Sequence, residues 1–264
     1  MKSGSGSTYW FLLVDEFTKY SWTTFGNKKS DITEKIFPII LSILNAEIKI
    51  NKVRLDNAGE NWELERKCMD HLLGIKFEYT TPNTPQYNGV VERKFQSLYN
   101  KLRATLFESG LDYDLSNFLW SECASTVTFL DNLCVGKDTR KSPYQLFHNK
   151  DPKVIHKLRT FGEIGVVKNH KIKSKLSPKG DPMIFIGYSE SHSSDSYRML
   201  NIKTRGLCIT RDVTWINKNY IEWSNDKKLE NKQELPVSIF QLKSLNIEED
   251  IKKNFCFTRF SGGN

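Results

Sequence analysis

An unbroken apolar run, Tyr9-Trp-Phe-Leu-Leu-Val14, ends abruptly at Asp15. So short and continuous a run reads as a β-strand buried on both faces. A strand with one wet face would alternate, and a membrane-spanning helix needs about 20 apolar residues. The chain must therefore build a sheet with a layer on each side. Asp15-Glu-Phe-Thr18 reads as a tight turn, and Tyr20–Phe25 as an aromatic, β-branched second strand.

Helices of the right spacing follow. Ser30 or Asp31 can cap a helix reaching about Ala46, with Ile32, Ile36, Ile39/Ile40 and Ile43/Leu44 on one face. Asn51–Leu55 is a short strand running into the turn Asp56-Asn-Ala-Gly59, Glu60–Leu73 a helix stopped by Gly74, and Ile75–Tyr79 a strand. Thr80–Tyr87 holds two prolines and no periodicity, which predicts a loop. From Asn88, Val91, Phe95, Leu98, Leu102 and Leu106 form the stripe of a long helix. Leu115–Cys134 reads as a buried helix and Ser142–His148 as a short helical turn. Strands interleaved with helices in this way predict an α/β fold with a mixed sheet.

After Asp151-Pro152 the texture changes to short strands, expected at Phe161–Val167, Met183–Tyr188, Tyr197–Asn201 and Gly206–Thr214. That spacing predicts a small barrel. The organisation is read as a flexible lead-in (1–8), an α/β domain (9–150), a small basic β-barrel (151–220) and a loosely ordered polar tail (221–264).

Charge separates these parts. Residues 1–150 carry 19 Lys/Arg against 18 Asp/Glu, residues 151–220 carry 13 against 6, and residues 221–264 carry 7 against 7. Almost all of the net +8 falls on the barrel segment, which favours a nucleic-acid-facing module over an ordinary solvated surface. The cysteines Cys68, Cys123, Cys134, Cys208 and Cys256 are scattered and odd in number, as expected of reduced intracellular thiols. Cys68-x-x-His71 has no second pair at ligand spacing, so no zinc is expected in this fragment. Neither a signal-peptide core nor a membrane span is legible.

Two carboxylates stand where chemistry is done. Asp56 closes a buried strand just before a glycine turn, the usual place for a functional group in an open α/β sheet. Glu92 lies in the first turn of the long helix, off its apolar stripe. A strand–helix–strand–loop path can bring the two together, and carboxylate oxygens suit the paired Mg²⁺ ions of phosphodiester chemistry. The plainer alternatives are an Asx-turn residue at position 56 and a favourable helix N-terminal charge at position 92.

The stretches Val53-Arg-Leu-Asp-Asn-Ala-Gly-Glu-Asn61 and Thr81-Pro-Asn-Thr-Pro-Gln-Tyr-Asn-Gly-Val-Val-Glu-Arg-Lys94 resemble the integrases of copia-type retrotransposons. Phe118-Leu-Trp-Ser-Glu-Cys-Ala124, Lys141-Ser-Pro-Tyr144, Leu158-Arg-Thr-Phe-Gly162, Ile184-Phe-Ile-Gly-Tyr188 and Thr210-Arg-Asp-Val213 follow in that family's order. The resemblance spans roughly residues 5–220. It implies a ribonuclease H-like core followed by an SH3-like barrel. It also implies an Asp, Asp, Glu triad that uses Mg²⁺ or Mn²⁺ to join element ends to target DNA.

On this resemblance Asp56 is the second acid and Glu92 the third. Asp15 is an alternative first acid, but its position matches the turn after the family's second strand, so it is read as a turn cap. The first strand, its acid and an upstream zinc module are then expected to be missing from an N-terminally truncated chain. The lost strand would lie centrally, leaving both neighbours with unpaired backbone groups. Arg93, Lys94, Gln96 and Tyr99 beside Glu92, and Lys168, Lys171, Lys173 and Lys175 in the barrel, are candidate DNA contacts. The resemblance further implies homo-oligomers on DNA and, for a working integrase, action in the nucleus. The expectation is thus an integrase-derived protein, weakly active or inactive for want of the first Asp. The alternative is a non-catalytic DNA-binding module.

Overall fold

The computed structural model describes residues 2–56, 58–80, 89–136, 139–169, 179–189, 196–230 and 255–261. In chain order the elements are β1 (Tyr9–Asp15), β2 (Ser21–Gly26), α1 (Ile32–Asn45), β3 (Lys52–Leu55), α2 (Gly59–Asp70) and β4 (Lys76–Tyr79). Next come α3 (Gly89–Glu108), α4 (Tyr113–Leu133), α5 (Pro143–His148), β5 (Glu163–Lys168), β6 (Gly180–Tyr188) and β7 (Tyr197–Asn201). The order ends with β8 (Leu207–Thr210), β9 (Val213–Asn219), α6 (Tyr220–Glu230) and β10 (Phe255–Ser261). Two compact units result: Met1–Leu102 with Val127–Pro152 and Glu248–Asn264, and Arg103–Thr126 with Lys153–Ile247. The unit boundaries fall within α3 and α4, whereas sequence texture had placed the change near residue 151.

In the first unit, β1 is covered on both faces, as its composition requires. Phe11 and Leu13 join Ile32, Ile36, Phe37, Ile40 and Ile43 of α1 in one buried cluster, while the Trp10 ring lies 4.8 Å from that of Phe95 in α3. From Trp10 to Val14 no side chain is more than 2% exposed. At roughly 1.5–3 kcal/mol for each large apolar side chain fully buried, this strand and α1 anchor the unit.

The sheet order is β2-β1-β10-β3-β4. The place between β1 and β3, expected to be empty, is filled by residues from the segment read as a polar tail. β10 runs parallel to β1, from Trp10↔Phe255 to Asp15↔Phe260, and antiparallel to β3, from Thr258↔Leu55 to Ser261↔Lys52. The reason is hydrogen bonding: buried strands cannot leave their N–H and C=O groups unpaired. On the other flank of β1, edge strand β2 is partly closed by Asn132 of α4. Its amide accepts from Ser21 N–H at 2.9 Å and donates to Ser21 C=O at 2.8 Å.

The second unit holds a five-stranded antiparallel sheet, β8-β7-β6-β5-β9. The expected strand over 206–214 is two strands, because Arg211 and Asp212 turn the chain so that β9 returns to β5. Gly187 marks an irregularity in β6. Its φ is +144°, and a Cβ there would lie 2.6 Å from Thr126 Oγ1, whose hydroxyl donates to Ile186 C=O at 3.0 Å. Only glycine allows that approach. The stretch after Trp215, expected to be loosely ordered, forms α6. Asn219 Oδ1 accepts from Glu222 N–H at 3.0 Å, and Glu222 Oε2 accepts from Asn219 N–H at 2.9 Å, a reciprocal cap. The predicted fold class, an α/β core of the ribonuclease H type followed by a small all-β domain, is the one observed. The central strand comes from the opposite end of the chain.

Candidate active site and nucleic-acid interface

Asp56 directly follows Leu55, a fully buried residue at the end of β3. Its own side chain is half-buried and held by Asn61, in the first turn of α2. Asn61 Nδ2 donates both to Asp56 Oδ1 and, at 3.0 Å, to the Asp56 C=O. Asn61 is itself fully buried, and its Oδ1 has no hydrogen-bond partner. Burial pushes the Asp56 carboxyl above its ordinary 3.8, with the Asn61 hydrogen bond opposing and the Glu60 charge adding to the rise. A desolvated carboxylate at the mouth of an internal strand gains from a cation that replaces its lost hydration. Asn61 acts as a positioning residue. It stands in the motif that carried the resemblance, but its role is visible only when the turn folds it back onto position 56.

Glu92 sits in the first turn of α3 and is exposed, beside the fully buried Val91. The stripe predicted for this helix is observed: Val91, Phe95, Leu98 and Leu102 are its buried residues. Residues 81–88, the Pro-rich stretch leading to Glu92, lie outside the described residues. Among the described residues no group of three or more His, Cys, Asp and Glu side chains could hold a metal ion. The donors expected at positions 56 and 92 are carboxylate oxygens. They fit a hard divalent ion that retains much of its water, as Mg²⁺ does when held by one or two carboxylates.

Asp15 is buried, and its carboxylate is spent on its own turn. Oδ2 accepts from Thr18 N–H at 2.9 Å and from Thr18 Oγ1–H at 2.5 Å, and the Asp15 C=O accepts from Lys19 N–H at 2.9 Å. The turn-cap geometry is present in full. β10, the strand in register beside β1, has the sequence Phe-Cys-Phe-Thr-Arg-Phe-Ser and brings no acid. Cys68 is buried within α2, where loss of hydration pushes its thiol up to about 11, far from a thiolate ligand.

The candidate DNA contacts divide. Arg93 and Gln96 are exposed on α3. Lys94 is not free: with Lys101 it grips Asp131 of α4, a carboxylate only 9% exposed. Burial pushes the Asp131 carboxyl up, but the two ammonium groups outweigh it, and the carboxyl lies below its ordinary 3.8. Sequence periodicity gave Lys94 to the polar face and could not reveal an acid on a neighbouring helix. Tyr99 is half-buried, its ring parallel to that of Phe95 at 6.4 Å. Lys168 is exposed at the end of β5, opposite Gly180, while Lys171, Lys173 and Lys175 lie outside the described residues.

Two units of this kind, an α/β core and a small antiparallel β domain, define a polymerase-polyprotein class. Residues 165–229 match the family model described as the retroviral polymerase SH3-like domain. The chain is 28% identical over 221 residues to the retrovirus-related Pol polyprotein from transposon TNT 1-94 of Nicotiana tabacum, covering 81% of this chain and 16% of that protein. It is 27% identical over 224 residues to the Pol polyprotein from transposon RE1 of Arabidopsis thaliana, covering 82% and 14% respectively. The chain thus spans about a sixth or less of the length of these curated relatives. A solved chain from the simian T-cell lymphotropic virus intasome in complex with PP2A regulatory subunit B56 gamma is 15% identical with a TM-score of 0.45, covering 81% of this chain and 74% of that one. On the domain match and the Pol relatives together, the chain is a copia-type integrase fragment.

Proposed function

We propose that this chain binds DNA and carries a reduced form of the integrase strand-transfer site, built on Asp56 and Glu92. The observation that carries the reading is the Asp56 carboxylate, desolvated at the end of an internal strand and clamped by the fully buried Asn61. In strand transfer a DNA 3′-hydroxyl attacks a target phosphodiester. A new P–O bond forms as the old one breaks, and the displaced 3′-oxygen leaves with a proton. A bound Mg²⁺ or Mn²⁺ neutralises charge at the reacting phosphate. Asp56 and Glu92 would hold it, Asn61 would fix the Asp56 carboxylate, and exposed Arg93 and Gln96 would position the DNA backbone. Two carboxylates hold such an ion less firmly than three, so turnover is expected to be weak. A nuclear site of action and assembly of several copies on DNA belong to the same reading.

The second reading, DNA binding without turnover, is favoured by the charge of residues 151–220, which carry 13 Lys/Arg against 6 Asp/Glu. Lys168, Lys171, Lys173 and Lys175 would then neutralise phosphates, and log K should fall with log salt by about 0.9 for each phosphate neutralised. A strand-transfer assay with pre-cut DNA ends and Mn²⁺ separates the two. Joined product that disappears in Asp56→Asn supports the enzyme. Salt-dependent binding with no product in the parent chain supports the module.

A further inference from the structure

We infer that the place between β1 and β3 is a strand-acceptor site, and that it takes residues 255–261 from a second copy of this chain as well as from its own. β1 and β3 run antiparallel to each other, since β10 is parallel to the first and antiparallel to the second. A strand between them is held through backbone pairing on both edges, whichever chain supplies it. The site cannot stay open at low cost. Trp10–Val14, Val53 and Leu55 are at most 2% exposed, and each buried backbone group left unpaired costs roughly 1–3 kcal/mol.

The occupant is nevertheless attached loosely in terms of topology. In the sheet β10 pairs with β1 and β3 only. The numbering leaves residues 231–254 between α6 and β10. A tether of that length reaches at most roughly 80 Å when fully extended, enough to serve its own sheet or that of a neighbour. Exchange between two copies reproduces every backbone pair of the closed chain and creates a symmetric dimer, the lowest-cost route to association for an element at the end of a chain. A second copy is the favoured donor because Phe255–Ser261 already matches the site's register on both edges.

Arg54 and Arg259 are register partners on β3 and β10, which makes the exchange measurable. Full-length Arg54→Cys and Arg259→Cys chains, both carrying Cys134→Ser to remove an exposed thiol, are mixed, warmed near the unfolding midpoint, cooled and oxidised. Exchange predicts a disulfide-linked heterodimer, mapped to positions 54 and 259, whose yield rises with protein concentration. Phe257→Pro in the Arg259→Cys chain removes the N–H that a central strand needs, and the heterodimer should be lost. The double variant Arg54→Cys/Arg259→Cys should close within itself at low concentration. Closure in the double variant without any heterodimer from the mixed chains, at every concentration, would overturn the inference. So would a heterodimer that survives Phe257→Pro, or failure of the double variant to close.

Discussion

The two five-stranded sheets solve the pairing problem in different ways. In the second unit β5, β6, β7 and β8 pair with their neighbours in sequence, and β9 returns to β5. In the first unit the central strand comes from residues 255–261, while its partners lie at residues 10–15 and 52–55. Local pairing closes short loops, whereas distant pairing must recruit a strand across most of the chain. The first sheet therefore depends on one remote segment, and the second on many near ones.

Breaking the remote pairing should give the largest effect. Phe257→Pro is expected to cost about 3 kcal/mol or more, because several buried backbone groups lose partners together. Hydrogen exchange should rise at residues 10–15 and 52–55 and stay unchanged in β5–β8. Equal loosening of both sheets would erase the contrast. Next comes Asp131→Ala, which leaves Lys94 only 16% exposed and without its acid. A loss of about 3 kcal/mol is expected in denaturant titration, at the low end for broken buried pairs because Lys101 is half-exposed. The pH dependence follows in sign. The Asp131 carboxyl lies below 3.8 in the folded chain, so its contribution is complete above that value and is lost as pH falls through the folded-state pKa. Acid titration of Asp131→Ala should lack that part of the loss.

A smaller effect, confined to the second unit, is expected at Gly162. Its φ is +86°, and a Cβ would stand 2.5 Å from the Ser109 Cβ. Gly162→Ala should cost about 2 kcal/mol from strain and crowding. Exchange should then rise at β5 and β6, leaving β1 protected.

The contrast also explains what was legible in the sequence. The buried character of β1, the α3 stripe and β7 could be read directly, because each is written in consecutive or periodic residues. Splitting 206–214 into β8 and β9 depended on Arg211 and Asp212 turning the chain, which propensity alone does not show. The role of residues 255–261 was hidden among polar neighbours. What makes them a strand is the unpaired edge they meet, a property of residues about two hundred positions or more away. At the site, Asp56 and Glu92 were found by position and motif. Asn61 became visible as the clamp on Asp56 only in three dimensions, and Lys94 left the DNA-facing set because Asp131 holds it.

The most direct test is Mn²⁺ affinity, measured by electron paramagnetic resonance on the full chain with Asp56→Asn, Glu92→Gln and the double variant. A shared ion predicts that each single change weakens binding and that the double change adds little to either, with parent-chain affinity rising with pH as the Asp56 proton, held above 3.8 by burial, is released. Additive losses, or binding indifferent to both substitutions, would mean that the two carboxylates hold no ion in common.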